Sequence, residues 1–195
     1  MSIHGEFVIH PLTASRWEDL ERLFGERGAC GGCWCMWWRL PRSKFNQYKG
    51  AVNRQAFRDI VLAGEIPGLI AYRGDQPAGW CALAPREVYP ALERSRILKR
   101  VDEQPVWSVT CFFIAKPFRR LGLTYFLLLA AIEFARLQGA GILEGYPEDP
   151  GDGNQPPPFM FTGLASTFKK AGFVEVARRS TKRPLMRYYL GEKEQ

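Results

Sequence analysis

The sequence predicts an α/β fold, more specifically an α+β fold, in a single domain covering residues 1–195. The length suffices for one sizeable hydrophobic core and hardly for two. A content of 46% hydrophobic and 24% charged residues is typical of an ordinary globular chain. Short runs of β-branched and aromatic residues alternate with stretches of helical periodicity, and neither a repeat nor a linker divides them.

The clearest segment, residues 105–138, combines a strand, a basic turn and an apolar helix. Val106–Ile114 is rich in β-branched and aromatic residues, and Pro117 follows it. From Gly122 onward, apolar residues recur at spacings of three and four until Gly139. We therefore expect the helix over residues 122–138 to pack one broad apolar face on the sheet.

The turn within this segment has the composition of an anion site. Unpaired backbone N–H groups and the helix dipole attract negative charge to a helix N-terminus. Arg119 and Arg120 add guanidinium groups suited to a diphosphate, and Gly122 has no Cβ to keep a ligand away. The predicted anion-binding residues are Arg119, Arg120, Leu121, Gly122, Leu123 and Thr124.

Before this segment, the patterns predict a strand, two helices, a hairpin of two strands, and a short helix or lid-like loop. Ser15-x-x-Glu18 resembles a capping box at the start of the first helix, and Gly64 would end the second. The predicted ranges are Phe7–Pro11, Ser15–Phe24, Asn53–Ala63, Gly68–Tyr72, Ala78–Ala84 and Tyr89–Arg100.

After it, the patterns predict a strand, an irregular loop, a short helix and a closing pair of strands. The loop is rich in glycine and proline, which break regular structure. The predicted ranges are Gly141–Tyr146, Asp149–Pro158, Gly163–Ala171, Phe173–Arg179 and Leu185–Leu190, with a polar tail over Glu192–Gln195.

The strand, turn and helix resemble the acetyl-CoA site of the GNAT N-acetyltransferase superfamily. Its signature, Arg/Gln-x-x-Gly-x-Gly/Ala, corresponds to Arg119-x-x-Gly122-x-Thr124, with threonine in the last place. The element order and the Gly172-Phe173 strand start extend the resemblance over nearly the whole chain. It implies a GNAT-type mixed, mostly antiparallel central sheet of six to seven strands flanked by about four helices. The Cys/Trp-rich N-terminal segment is similar to that of a little-characterised bacterial subgroup.

The resemblance also implies an activity. It indicates an acyltransferase that moves an acetyl group from acetyl-CoA, a co-substrate, directly to an amine of a small molecule or a protein. By position, the backbone of Phe113, Ile114 and Ala115 would hold the pantetheine arm and the acetyl carbonyl. The residues Arg119–Thr124 would bind the pyrophosphate. Association into a homodimer is also compatible with the resemblance.

Direct transfer needs a base for the amine proton. Glu144 is the first candidate, because it lies mid-strand on the element expected to face the cleft, where partial burial would make the carboxylate more basic. In the alternative interpretation Glu144 faces the other way and pairs with an arginine, since strand parity cannot be read from sequence. Glu148 and Asp149 are weaker candidates.

The transfer also needs an acid for the departing thiolate, and here the chain departs from the family. The family's tyrosine lies four residues before the glycine of Gly172-Phe173, where this chain has Phe168. Tyr146 or Cys111 could donate instead, or the thiolate could take its proton from water. The catalytic candidates are thus Glu144 and Tyr146. The missing tyrosine leaves a non-catalytic acyl-CoA-binding module as the alternative function.

The acceptor side of such a site lies between the first two helices. Aromatic faces and guanidinium groups there would suit an amine or a planar acceptor, although core or dimer packing would use the same tryptophans. The candidate acceptor residues are Trp34, Trp37, Trp38, Arg39, Arg86 and Tyr89.

Cys30-x-x-Cys33-x-Cys35 invites a zinc interpretation. Zinc usually takes four ligands, and the chain has no second Cys or His pair at matching spacing. A nucleophilic thiol would need an activating partner, and both histidines are near the N-terminus. We therefore expect reduced thiols packed beside tryptophans and no metal.

The formal charge of +7 leaves one further alternative, a nucleic-acid-associated protein. No DNA- or RNA-binding motif accompanies the charge, so we favour a solvated basic face with one polyphosphate ligand. The sequence shows neither a secretory signal nor an apolar run long enough for a bilayer. We expect a cytoplasmic protein without a membrane partner.

Overall fold

A computed structural model of the chain describes residues 2–3, 7–151 and 161–191. Most of the predicted Asp149–Pro158 loop and the predicted tail Glu192–Gln195 lie outside the described residues. The strands are β1 (Ser2–Ile3), β2 (Phe7–Pro11), β3 (Gly68–Arg73), β4 (Gln76–Pro85), β5 (Trp107–Ile114), β6 (Ile142–Gly145), β7 (Val174–Arg178) and β8 (Pro184–Tyr189). The helices are α1 (Trp17–Phe24), α2 (Arg42–Tyr48), α3 (Ala51–Leu62), α4 (Pro90–Glu93), α5 (Leu123–Leu137) and α6 (Ala165–Lys170). Short 3-10 turns cover Ala14–Arg16, Arg86–Val88 and Lys116–Phe118.

The described strands form one sheet in the order β1-β2-β3-β4-β5-β6-β8-β7. All neighbouring pairs are antiparallel except β5 and β6, which run parallel. Because β1 contributes only two residues at the edge, seven strands build most of the sheet. The predicted mixed, mostly antiparallel sheet is confirmed.

The sheet separates two layers of helices, as alternation of side chains along each strand requires. On one face, Leu69 and Ala71 of β3 join a core with α5 and α6. On the other face, Ile70 and Tyr72 join a core of aromatic residues with α1 and α3. A third cluster, which includes Leu92 of α4, covers the part of this second face near β6 and β8.

The strands β5 and β6 separate before β5 ends, and this opens an edge in the middle of the sheet. Their pairing stops at Val109 and Gly145, whereas β5 continues to Ile114. A bulge contributes to the bend, because Ala82 pairs with Cys111 and Leu83 with Val109, which leaves Thr110 without a partner on β4. The segment Cys111–Ile114 therefore has no pairing with β6.

Most predicted elements are confirmed to within a few residues, and three features differ, one of which is the unpredicted edge strand β1. The capping box at Ser15 is wrong: α1 is preceded by the 3-10 turn at Ala14–Arg16, Thr13 Oγ1 bonds Ser15 Oγ at 2.9 Å, and neither turn nor helix has a side-chain cap. The helix α2 was not predicted, since Phe45 is its only buried residue and gives no apolar period. Among the described helices, none combines the length and apolarity needed to cross a membrane.

Candidate active site

The turn between β5 and α5 has the backbone geometry of an anion site. Gly122 precedes α5 with a φ of +74°, which a residue with a side chain rarely adopts. Within the described chain, the amides of residues 120–124 donate to no backbone acceptor. They lie at the positive end of a helix of 15 residues. The turn can therefore receive an anionic group on several free donors.

Arginine side chains border this turn on the solvent side. Arg119 and Arg120 are exposed, and Arg119 Nε donates to the Ile114 carbonyl at 3.1 Å. Arg120 has a φ of +65°, and a non-glycine residue held in this region typically costs about 1–3 kcal/mol. Leu123 is buried, so it can offer a ligand only its backbone. The strained residue and the left-handed glycine together curve the chain around the free amides.

The open edge of β5 presents a different set of amides from the one we expected. The Ala115 N–H donates to Ala78 on β4, and strand alternation turns the Phe113 amide the same way. The amides that face the open edge are those of Phe112 and Ile114. The Phe112 N–H donates to the Phe161 carbonyl at 2.6 Å. Of the backbone N–H groups of the three predicted pantetheine contacts, those of Phe113 and Ala115 face β4, and that of Ile114 faces the open edge.

A cavity of about 280 Å³ lies beside this edge, between β5, α2 and the loop that follows α1. Its walls are mostly aromatic and apolar, and the titratable side chains among its described lining residues are four cysteines and one lysine. The lining residues are Phe24, Ala29, Cys30, Gly31, Cys33, Cys35, Trp37, Phe45, Lys49, Cys111, Phe112, Phe113 and Phe161. A larger, more open hollow beside Arg22 and Asp75 lies at the β3–β4 hairpin, away from the open edge.

The three predicted acceptor tryptophans have different surroundings. Trp37 lines the cavity, packs edge-on against Phe45 with ring centroids 5.0 Å apart, and lies under the Arg42 guanidinium. Trp34 is buried in the aromatic core, stacked on the ring of Trp17. Trp38 is buried and donates from Nε1 to the Thr110 carbonyl at the β5 bulge. Only Trp37 is in a position to touch an acceptor in this cavity.

Arg39 and Tyr89, two further acceptor candidates, stack on each other behind the cavity wall. The guanidinium carbon lies 5.1 Å from the ring centroid. Arg39 Nη2 is buried and has no hydrogen-bond partner among the described residues. The Tyr89 hydroxyl lies near the Thr110 side chain, and burial raises the pKa of Tyr89 to about 12. The pair therefore places a positive charge and a neutral phenol beside the bulge.

Glu144 and Tyr146 lie in a buried network with arginines, apart from the cavity. Arg86 Nη1 donates to Glu144 Oε1 and to the Tyr146 hydroxyl, each at 2.6 Å. Arg187 Nε donates to Glu144 Oε2 at 2.8 Å, and the Tyr146 hydroxyl also bonds Ser108 at 2.8 Å. Glu144 and Tyr146 are fully buried, and neither is among the described residues that line the cavity.

This arrangement corrects the expected catalytic roles. The alternative in which Glu144 pairs with an arginine is the one observed, and the carboxylate is held by two guanidinium groups. Burial and the negative charge of Glu144 hold the pKa of Tyr146 well above its ordinary value, which makes it a poor proton donor. Arg86, expected at the acceptor pocket, instead belongs to this network. The weaker base candidates Glu148 and Asp149 also form ion pairs, with Arg183 at 3.0 Å and Arg178 at 2.7 Å.

The network also fixes the segment that follows β4. Arg86 Nε donates to Glu93 at 2.6 Å and Nη2 donates to the Leu98 carbonyl at 2.8 Å. Arg187 forms a two-pronged pair with Asp102, at 2.6 and 3.0 Å. Sequence reasoning missed Arg187 and Asp102, although a charged residue inside a closing strand signals that a buried partner is needed.

Phe168 fills the space where β5 and β6 diverge. It is fully buried, and its ring packs edge-on against Phe112 with centroids 6.2 Å apart. A Cβ on Gly145 would lie 2.1 Å from the Phe168 ring, so the glycine is needed for this contact. The residue at the family's tyrosine position is thus part of the core.

The cysteines provide the reactive groups that the cavity contains. Cys35 Sγ accepts a hydrogen bond from Trp80 Nε1 at 2.9 Å. The hydrogen bond from Cys111, then that from Trp80 and the charge of Arg39, lower the pKa of Cys35 against the opposing effect of burial. The same bond and burial hold the pKa of Cys111 well above its ordinary value. Burial raises the pKa of Cys33 to about 11.

All five cysteines are free thiols. Among the described residues, no group of three or more His, Cys, Asp or Glu side chains is placed to hold a metal ion. The geometry thus offers no support for zinc at Cys30-x-x-Cys33-x-Cys35, and the absence of a metal from the protein stays a prediction.

The structure combines a mixed sheet with a divergent parallel pair, a turn with free amides before a long helix, and a cavity at the open edge. The sequence model of the acetyltransferase (GNAT) family matches residues 34–150, more than half of the chain. The chain therefore belongs to the GNAT acetyltransferase family. No curated protein matches it.

Solved structures share the fold at low sequence identity. An acetyltransferase of the GNAT family from Streptococcus agalactiae is 16% identical, with a TM-score of 0.59 and 99% of each chain covered. A Salmonella typhimurium protein solved with its cofactor acetyl-CoA is 12% identical, with a TM-score of 0.55 and 98% of each chain covered. The PaiA N-acetyltransferase of Thermoplasma acidophilum, in complex with coenzyme A, is 15% identical, with a TM-score of 0.50, 97% of this chain and 99% of that chain covered.

Proposed function

We propose that the protein transfers an acetyl group from acetyl-CoA directly to an amine of a small molecule or a protein. The observation that carries this proposal is the turn at residues 119–124, where free amides at the N-terminus of α5 lie next to exposed Arg119 and Arg120. Such a turn suits the pyrophosphate of a coenzyme A ester. The Salmonella and Thermoplasma relatives, solved with acetyl-CoA and coenzyme A, support the same ligand.

The route from the turn to the cavity fits the rest of such a ligand. Pantetheine would extend along the open edge of β5, where the Ile114 amide faces outward and the Phe112 amide lies deeper. The acetyl group would then reach the cavity lined by Trp37 and Phe113. The Phe112 N–H already donates to the Phe161 carbonyl, so the Ile114 N–H is the group at this edge that can stabilise the oxyanion as the amine attacks. Apolar walls favour the neutral amine, which is the nucleophilic form.

A second function, a non-catalytic acyl-CoA-binding module, is favoured by a specific observation. Phe168 replaces the expected acid, and Glu144 and Tyr146 are enclosed in the arginine network. In such a module the turn would bind the ligand without turnover. Release of coenzyme A in the presence of amines separates the two functions.

The proposal also covers the location and the oligomeric state of the protein. We propose that the protein is cytoplasmic, and association of two copies is compatible with the proposed function. In this proposal the net charge of +7 attracts the polyphosphate group of the coenzyme rather than nucleic acid.

The test is a calorimetric titration of the full chain with acetyl-CoA and with free coenzyme A. We expect saturable binding of both in the micromolar range, followed by release of coenzyme A when a panel of amines is added to the acetyl-CoA complex. No binding of either ligand would contradict the proposal. Binding without release for any amine would favour the acyl-CoA-binding module.

A further inference from the structure

The cavity at the open edge of β5 has two pairs of aromatic rings in its walls. Phe24 and Phe113 pack edge-on with ring centroids 5.5 Å apart, and Trp37 and Phe45 do so at 5.0 Å. The first pair belongs to the end of α1 and to β5, and the second belongs to α2 and the loop before it. Because flat apolar rings pack well on one another, these walls favour a ligand that carries a ring.

Two cations lie beside the second pair of rings, on the α2 side of the cavity. Lys49 lines the cavity, and its Nζ lies 5.6 Å from the centroid of the Phe45 ring. The guanidinium carbon of Arg42 lies 4.1 Å from the centroid of the Trp37 ring. Both side chains are exposed, and neither forms an ion pair within the described part of the chain. Positive charge is therefore available there for an anionic group of a ligand.

The lining of the cavity offers this positive charge no carboxylate. None occurs among the described lining residues, and Glu144 is held in the buried network by Arg86 and Arg187. A polyamine would therefore meet like charge at the α2 side, and like-charge contacts discriminate against such a ligand. An acidic group on the acceptor would instead form charge-assisted hydrogen bonds with the two cations.

The volume of the cavity limits the size of the acceptor. At about 280 Å³ it lies just below the usual range of about 300–1,000 Å³ for small-molecule sites. One ring with short substituents suits this volume better than a sugar oligomer does. The ring walls, the cations and the volume therefore point to the same kind of ligand.

We propose that the acceptor is a small amine with an aromatic ring and with an acidic group at the end away from the amine. This inference rests on the proposed function, because it names the substrate class of the same site. The amine lies at the open edge of β5, where the acetyl group arrives, and the ring lies between the aromatic pairs. The acidic group lies on the α2 side, beside Lys49 and Arg42.

The transfer to such an acceptor balances without a further reactant. The amine nitrogen forms a bond to the acetyl carbonyl carbon, and the carbon–sulfur bond to coenzyme A breaks. One proton of the neutral amine ends on the coenzyme sulfur, so the products are an N-acetylated acid and free coenzyme A. No atom is oxidised or reduced.

Binding of matched amines to the complex with free coenzyme A tests the ligand class without turnover. The probe para-(aminomethyl)benzoate carries the ring, the amine and the acid, whereas benzylamine lacks the acid, ε-aminocaproate lacks the ring, and spermidine is a polycation. Calorimetry on the full chain gives each Kd. We expect para-(aminomethyl)benzoate to bind most tightly, by roughly five- to tenfold over benzylamine. Equal or tighter binding of any of the other three amines would overturn the inference.

Variants of the cations test their role in this preference. The measured quantity is the ratio of affinities, or of kcat/KM values, for para-(aminomethyl)benzoate over benzylamine. We expect the ratio to fall roughly three- to tenfold in Lys49→Gln, and further when Arg42→Gln is added. The matched control is Lys44→Gln, an exposed lysine of α2 outside the described lining, which should keep the wild-type ratio. An unchanged ratio in the single and the double variant would overturn the role of the cations.

The outcomes separate this inference from the proposed function. Acetylation of benzylamine or spermidine with a higher kcat/KM than the acid overturns the substrate class and leaves the acetyltransferase intact. Tight binding of the acid without its acetylation, or that of any other amine, overturns the proposed transfer and keeps the ligand class of the cavity. Failure of the wild-type chain to bind acetyl-CoA overturns both.

Discussion

Glu144 should matter for stability rather than for the pH profile. In Glu144→Gln the guanidinium groups of Arg86 and Arg187 lose a buried anion, and breaking a buried pair typically costs about 3–5 kcal/mol. The free energy of unfolding from urea titration measures this loss. The partly exposed pair of Glu175 and Arg178 provides the control, and Glu175→Gln should cost much less. A flattened pH profile in the folded Glu144→Gln variant would restore Glu144 as the base.

At the scale of elements, the connection between β5 and α5 places the turn of residues 119–124 beside the open edge of β5. The strand brings Ile114 to the end of the cleft, and Gly122 starts the helix in a left-handed conformation. Free amides and exposed arginines then meet within six residues. The ring of Phe168 packs into the space that opens where β5 and β6 diverge, against Phe112 and Gly145.

Arg120→Glu should weaken coenzyme A binding. The variant replaces an exposed cation at the turn with an anion, and one hydrogen bond to a charged group contributes about 1.5–3 kcal/mol. This corresponds to roughly a ten- to hundredfold higher Kd. Calorimetry measures the change, with Arg58→Glu on the exposed side of α3 as a charge-matched control. Equal affinity in both variants would remove Arg120 from the ligand site.

Phe168→Tyr should not restore the family's acid. The ring is fully buried against Gly145 and Phe112, so an added hydroxyl would have no room and no water. A buried, unpaired hydroxyl costs about 1–3 kcal/mol. We expect a lower Tm and no gain in kcat. A faster variant of wild-type stability would show that the tyrosine position still faces the coenzyme sulfur.

At the scale of the whole molecule, the net charge of +7 leaves two kinds of anionic ligand to compare, acetyl-CoA and nucleic acid. Whichever of them binds the folded sheet should raise the free energy of unfolding. A ligand that binds only the folded chain adds about 2.7 kcal/mol at a hundredfold excess over its Kd. For a domain of this size, we expect acetyl-CoA to raise Tm by roughly 5–10 °C. Differential scanning fluorimetry measures this, with double-stranded DNA at moderate salt expected to cause no shift. A shift with DNA and none with acetyl-CoA would favour the nucleic-acid-associated alternative.

The elements with strong local patterns could be predicted, and those without could not. The apolar period of α5 and the β-branched composition of β5 identify both, and Gly122 with Arg119 identifies the turn. In contrast, α2 has a single buried residue and no period. The capping box predicted at Ser15 is wrong because the Ser15 hydroxyl bonds the Thr13 hydroxyl instead of capping α1. This competing local hydrogen bond cannot be read from the Ser-x-x-Glu motif.

Local patterns identify the family and the glycine turn before α5, because both depend on residues close together in the chain. The surroundings of Glu144 and Cys35 are visible in the folded chain alone. Arg86 is 58 residues from Glu144, and Trp80 is 45 residues from Cys35, so neither contact has a local signature. Strand parity placed Glu144 among arginines, and the divergence of β5 from β6 brought two thiols to the cavity. Contacts of this range depend on register and packing, which a single sequence does not encode in any short pattern.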